Sequence, residues 1–95
     1  SLFSPAAVPA SEGNSVTIQC KVSGKGRIHI GVYVYENTGW KQLEVCQQQF
    51  TLETDVKPVQ FTLPVKARNT GSVRPFIMVP ANAEARMSEF TMQID

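Results

Sequence analysis

Five side chains carry most of the binding chemistry this chain offers: Lys21, His29, Tyr33, Tyr35 and Trp40. Three of them share one row. In "GRIHIGVYVYENTGWK", residues 26–41, the even positions Ile28, Ile30, Val32 and Val34 are apolar. The odd positions Arg27, His29, Gly31, Tyr33 and Tyr35 are polar or aromatic. Successive residues of a strand point to opposite faces, so a core takes the first row and leaves the second for other work. Aromatic rings on such a row can pack against the apolar C–H face of a sugar, while His, Lys and Gln hydrogen-bond its hydroxyls. A plainer reading leaves the tyrosines half-covered by a loop or sheet edge, with only their hydroxyls in water. Trp40 either stands exposed at the rim of this face or folds back as a plug over one end of the fold. Arg74, beside Pro75, reads as a solvated edge charge.

Residues for catalysis are sparse. The chain has one histidine, His29, and no acidic residue two positions away orients it. There is no G-x-S-x-G nucleophile turn, no Gly-rich phosphate loop and no pair of histidines at metal-ligand spacing. The 8 acidic residues are dispersed over turns and strand ends. The expectation is therefore a non-enzyme without a cofactor. Structural zinc wants four Cys or His ligands, and this chain has three in all. Cys20 follows Val16 and Ile18 in phase and reads as a small buried hydrophobe. Cys46 is out of phase with Leu43 and Val45, so in a straight strand it points away from them. Both thiols are expected to be free, since a bridge needs converging Cβ vectors.

The elements that must position these residues are strands. Ninety-five residues suffice for one domain with one modest core. Residues 1–14 read as an extended lead-in, rich in Pro, Ala, Ser and Gly, and residues 15–95 as a single domain. "SVTIQCKVS" alternates Val16, Ile18, Cys20 and Val22 against Thr17, Gln19 and Lys21. "GKG" then reads as a hairpin connection, which would lay residues 27–36 antiparallel to residues 16–23. On that reading Thr17, Gln19 and Lys21 extend the face of His29 and Tyr33. "WKQLEVCQQQFTL", "KPVQFTLPV", "VRPFIMVP" and "SEFTMQID" supply the remaining strands, with Pro75 marking an edge or a bulge. A helical spacing of Ala83, Met87 and Phe90 competes with the alternation of the last strand. No βαβ rhythm exists, and the fold class expected is all-β, an antiparallel sandwich.

Composition removes other classes. Net charge is +1 and the basic residues never occur three in a row, so the counterion-displacing stripe of a nucleic-acid binder is absent. No apolar run approaches the roughly 20 residues that span a bilayer as a helix. Ser1 in place of Met, with no basic-then-apolar segment after it, points to a processed chain or a piece of a longer protein.

Taken in order, "EGNSVTIQCKVSGKGRIHIGVYVYENTG", "FTLETDVKPVQFTLPV" and "VRPFIMVPANAEARMSEFTMQI" resemble the jelly-roll carbohydrate-binding modules, the galactose-binding-like group attached to bacterial glycan-degrading enzymes. The resemblance spans residues 9–95 and lies in the hydrophobic and turn positions. It implies a jelly-roll sandwich, an extracellular or cell-surface location, a glycan ligand, and other domains of the same polypeptide as partners. It also implies further strands upstream and a structural calcium. Asp95 matches one calcium position, but the acidic residue that completes the site falls in the part of the family not represented here. Two rival readings stand beside it. One is an immunoglobulin- or fibronectin-like spacer. The other is a protein-docking domain that accepts a strand on a bare edge.

Overall fold

The computed structural model describes residues 2–3, as backbone, and residues 6–95. Its eight strands are β1 (Leu2–Phe3), β2 (Val8–Pro9), β3 (Ser15–Lys25), β4 (Arg27–Glu36), β5 (Gln42–Thr51), β6 (Lys57–Pro64), β7 (Thr70–Met78) and β8 (Glu84–Ile94). One sheet runs β1-β7-β4-β5, with β2 sharing the β7 edge with β1, and the other runs β6-β3-β8. All pairings are antiparallel. From β2 onward every connection crosses between the sheets except the β4–β5 hairpin. The molecule is an antiparallel β-sandwich, as the alternation and turn spacing imply, and its strand order is jelly-roll-like.

The core lies between the two inward rows. Val16 and Ile18 of β3, Ile28, Ile30, Val32 and Val34 of β4, and Val73 of β7 are fully buried. Ala10, Cys20, Val22, Leu52, Phe61, Leu63, Val65 and Ile77 complete it. Each such side chain taken from water contributes about 1.5–3 kcal/mol, which is what holds the sheets face to face.

The hairpin expected at "GKG" does not form. β3 pairs with β6 and β8, and β4 pairs with β5 and β7. Gly24 and Gly26, at φ 136° and 94°, turn the chain from one sheet into the other. The β5–β6 connection then clamps this corner: the Gly24 amide donates to the Glu53 carbonyl at 2.7 Å, and the Leu52 amide to the Gly26 carbonyl at 2.8 Å. Whether β3 and β4 sit side by side or face to face, their apolar rows enter the same core. Alternation alone cannot separate the two arrangements.

Three further expectations are adjusted. The helical spacing of residues 83–90 yields to strand, with only a turn before β8. Cys46 points inward, not away: a register shift where β5 meets Val34 and Tyr35 puts Leu43, Cys46 and Phe50 against the core and leaves Val45 outside. Pro75 lies in a strand with partners on both sides and not on an edge strand: it is aligned with Val32 of β4, while on the other side β1 takes Ile77 and Met78 and β2 takes Val73 and Ser72.

Candidate functional site

The two outer faces differ in how their polar groups are used. On the β6-β3-β8 sheet the outward groups bond to one another. Thr17 and Thr62 share a hydrogen bond at 3.1 Å. The Gln19 amide donates to Gln60 at 2.7 Å, and the Thr91 hydroxyl donates to Gln19 at 3.4 Å. Lys21 pairs with Glu89 at 2.7 Å. Because β3 and β4 lie in opposite sheets, Lys21, Thr17 and Gln19 belong to this face, not to that of the tyrosines. Grouping Lys21 with His29, Tyr33, Tyr35 and Trp40 is therefore corrected: the sandwich separates it from the other four.

The outer face of the β1-β7-β4-β5 sheet is built differently. Register aligns Gly31 with Phe76, Tyr33 with Arg74 and Tyr35 with Ser72 across β4 and β7. On the other side Tyr33 meets Val45, Gly31 meets Gln47 and His29 meets Gln49 of β5. Neighbouring residues on adjacent strands lie about 5 Å apart, and diagonal ones remain within reach of rings and long side chains. The result is a continuous row. Tyr33 stacks on Phe76 with centroids 4.4 Å apart and planes inclined by 21°. The Arg74 guanidinium sits 5.7 Å from the Tyr33 ring and 5.5 Å from the Tyr35 ring. Tyr35 meets Trp40 edge to face at 5.7 Å.

Burial is graded along this row. Phe76 is 2% exposed and Tyr35 8%, Tyr33 is half-buried, and Trp40, in the β4–β5 loop, is 76% exposed. Tyr35 is largely covered, whereas Tyr33 and Trp40 present ring surface to solvent on the same side. Trp40 is no core plug. His29 is half-buried further along β4, beside Gln49, Pro80 and Asn82.

Arg74 is not the solvated edge charge that its place beside Pro75 suggests. It lies half-buried between two tyrosine rings, on a strand interior to the sheet. Among the described residues its side chain makes no ion pair and no hydrogen bond, and its Nε is enclosed without an acceptor. An enclosed donor left unpaired costs about 1–3 kcal/mol. Two cation–π contacts, each contributing roughly 0.5–2 kcal/mol, offset that cost. The alternation of Ser72, Arg74 and Phe76 was the available signal for their common face. Pairing with β4 required the topology.

No residue on the outward rows of β4, β5 and β7 is acidic. Glu36, at the end of β4, turns toward Gly39 in the loop. Glu44 accepts the backbone amides of Lys66 and Ala67 at 2.9 and 3.0 Å. The outward rows thus carry the cations Arg27 and Arg74 beside His29, Gln47 and Gln49, with Glu36 lining a hollow with Trp40 and Ser72 at the loop end.

Elsewhere, Cys20 and Cys46 are free, and burial raises the pKa of both thiols; the neighbouring Glu44 carboxylate adds to the rise at Cys46. The Cys46 thiol donates to the Pro64 carbonyl at 3.6 Å. Among the described residues no group of three or more His, Cys, Asp and Glu is placed to hold a metal ion. No helix among them is long and apolar enough to cross a membrane. In comparisons with known proteins, the chain matches no family model, no curated protein and no solved structure.

Proposed function

We propose that this domain is a non-catalytic glycan-binding module of a larger secreted or surface bacterial glycan-acting protein, and that it binds through the outer face of the β1-β7-β4-β5 sheet. The observation that carries the reading is the exposed indole of Trp40 beside the Tyr35–Arg74–Tyr33 row. Ring surface open to water at Trp40 and Tyr33, with Gln47 nearby and Gln49 and His29 further along the same face, suits a pyranose, which is apolar on its C–H face and polar at its rim. The opposite face is already occupied with its own hydrogen bonds and ion pair, so it has less to offer a ligand. The resemblance of the hydrophobic and turn pattern to jelly-roll carbohydrate-binding modules supports the same reading.

A pure spacer gains nothing from a tryptophan 76% exposed at a loop. A strand-accepting role for β8 is disfavoured by its irregularity. The register shifts beside Glu89, which adopts φ 53°, and a bulge with an ion-paired charge is a device that blunts an edge. The test is a glycan array followed by titration. Binding with Kd on the order of mM to μM is expected, weakened about tenfold in both Tyr33→Ala and Trp40→Ala. A blank array with well-folded protein, or binding indifferent to both substitutions, would refute the proposal.

A further inference from the structure

Glycans divide into neutral and acidic, and the aromatic row contains a group that distinguishes them. The guanidinium of Arg74 is held between the rings of Tyr33 and Tyr35 at 5.7 and 5.5 Å, which restricts where it can point. Its Nε is enclosed and unpartnered, and the side chain as a whole is only half-buried, so part of it can still meet a ligand. It has no carboxylate among the described residues. The ion pairs there are Lys21–Glu89 and Lys57–Glu53, and the nearest acidic side chains on β4 and β5, Glu36 and Glu44, turn to the loop and to backbone amides. A cation oriented by stacking, without an ion-pair partner, on outward rows of β4, β5 and β7 that carry no acidic residue, is complementary to an anion, although Glu36 lines a hollow with Trp40 and Ser72 at one end of the face. Its fork-shaped donors match a planar carboxylate in bidentate fashion.

We infer that this face selects glycans containing uronic acid, with Arg74 binding the sugar carboxylate through its guanidinium and Trp40 and Tyr33 packing against the rings on either side. The inference rests on the glycan-binding reading above and adds the class of sugar. Arg74 is the residue that sets specificity, and Trp40 contributes affinity without regard to charge.

The experiment is calorimetric titration of the wild-type domain with trimers of galacturonate, glucuronate and mannuronate, each beside its carboxyl-reduced counterpart, which keeps the ring and loses the charge. At least one acidic trimer is expected to bind about tenfold or more tighter than its reduced form, with a preference that shrinks as salt screens the contact. Arg74→Gln should bring the two forms within about twofold of each other, and Arg74→Lys should keep part of the preference, since a point charge replaces a fork. Trp40→Ala should weaken both forms alike. Thermal melts establish that each variant is folded, and Arg74→Lys carries the test if Arg74→Gln is not. Equal binding of acidic and reduced forms overturns the inference while leaving the glycan-binding proposal intact. Tighter binding of sulfated trimers than of any uronate overturns the carboxylate assignment. An equal loss for both forms in Arg74→Gln makes Arg74 a scaffold for the rings, and binding of no glycan of either kind overturns proposal and inference together.

Discussion

At the scale of single residues, exposure and burial separate side chains of similar type. Trp40 is open to water, so Trp40→Ala should change stability by no more than about 0.5 kcal/mol while reducing glycan affinity; chemical denaturation and titration on one preparation measure both. Tyr33→Ala is different, because its ring also covers Phe76 and one side of Arg74. It should lose about 1–2 kcal/mol of stability along with binding, and remain folded. The cysteines report on the core. A thiol titration of denatured, unreduced protein should find both free, and in the native state both should react slowly, since burial favours the protonated form. The sign for stability follows. A folded-state pKa above the unfolded one means that the unfolded chain releases its proton first as pH rises. The contribution of Cys20 is therefore complete below the ordinary thiol range and lost through and above it. The stability gap between wild type and Cys20→Ala should shrink on going alkaline, and denaturation midpoints across that range will read it.

At the scale of elements, the decisive features are places where a strand departs from regular alternation. Gly31 lies where β4 and β5 approach closely. A Cβ there would overlap the Cys46 carbonyl oxygen and the Gln47 Cα, both backbone and unable to swing away. Gly31→Ala should therefore push the hairpin apart and cost about 1–3 kcal/mol, although alanine is a small residue. Val32→Ala, on the inward row one position later, should cost a comparable 1–3 kcal/mol for the opposite reason, a void in a fully buried site. Urea denaturation curves for the pair distinguish the mechanisms when combined with binding. Gly31→Ala should disturb the outer face, and Val32→Ala should leave it intact. The register shift in β5 matters in the same way. It turns Cys46 inward and Val45 outward, and a straight-strand reading of "LEVC" assigns both to the wrong side.

At the scale of the whole molecule, the crossing between sheets decides which side chains can cooperate. β3 and β4 are consecutive and joined by a tight corner, yet Lys21 and Tyr33 face opposite ways out of the sandwich. Lys21→Ala should then leave glycan binding within about twofold of wild type, because it breaks only an exposed ion pair, whose contribution is about 0–1 kcal/mol. A loss as large as that of Tyr33→Ala would place the ligand on the β6-β3-β8 face. Residues far apart in the chain are conversely brought together. Arg74 and Phe76 stand beside Tyr33 because β7 is the hydrogen-bonded neighbour of β4. That assembly is a property of strand order, not of any local stretch.

The division between what sequence determines here and what tertiary structure decides follows from the range of the forces involved. Alternation with period two names the inward residues Val16, Ile18, Ile28, Ile30, Val32 and Val34, and turn residues mark most strand ends, because both depend on local geometry and on burial alone. Those signals are enough for an all-β sandwich and for the outward row that ends in Tyr33 and Tyr35. They do not identify partners. A strand buries the same row whether its sequence neighbour lies beside it or across the core, so the hairpin reading of "GKG" puts Lys21 on the tyrosine face, and the strand order puts it on the opposite one. A bulge changes phase without a strong sequence mark, so a straight-strand reading turns Cys46 out of the core, and the register shift in β5 turns it in. The seat of Arg74 between two tyrosines arises from a pairing more than 35 residues apart in the chain. Only the folded arrangement brings that cation to those rings.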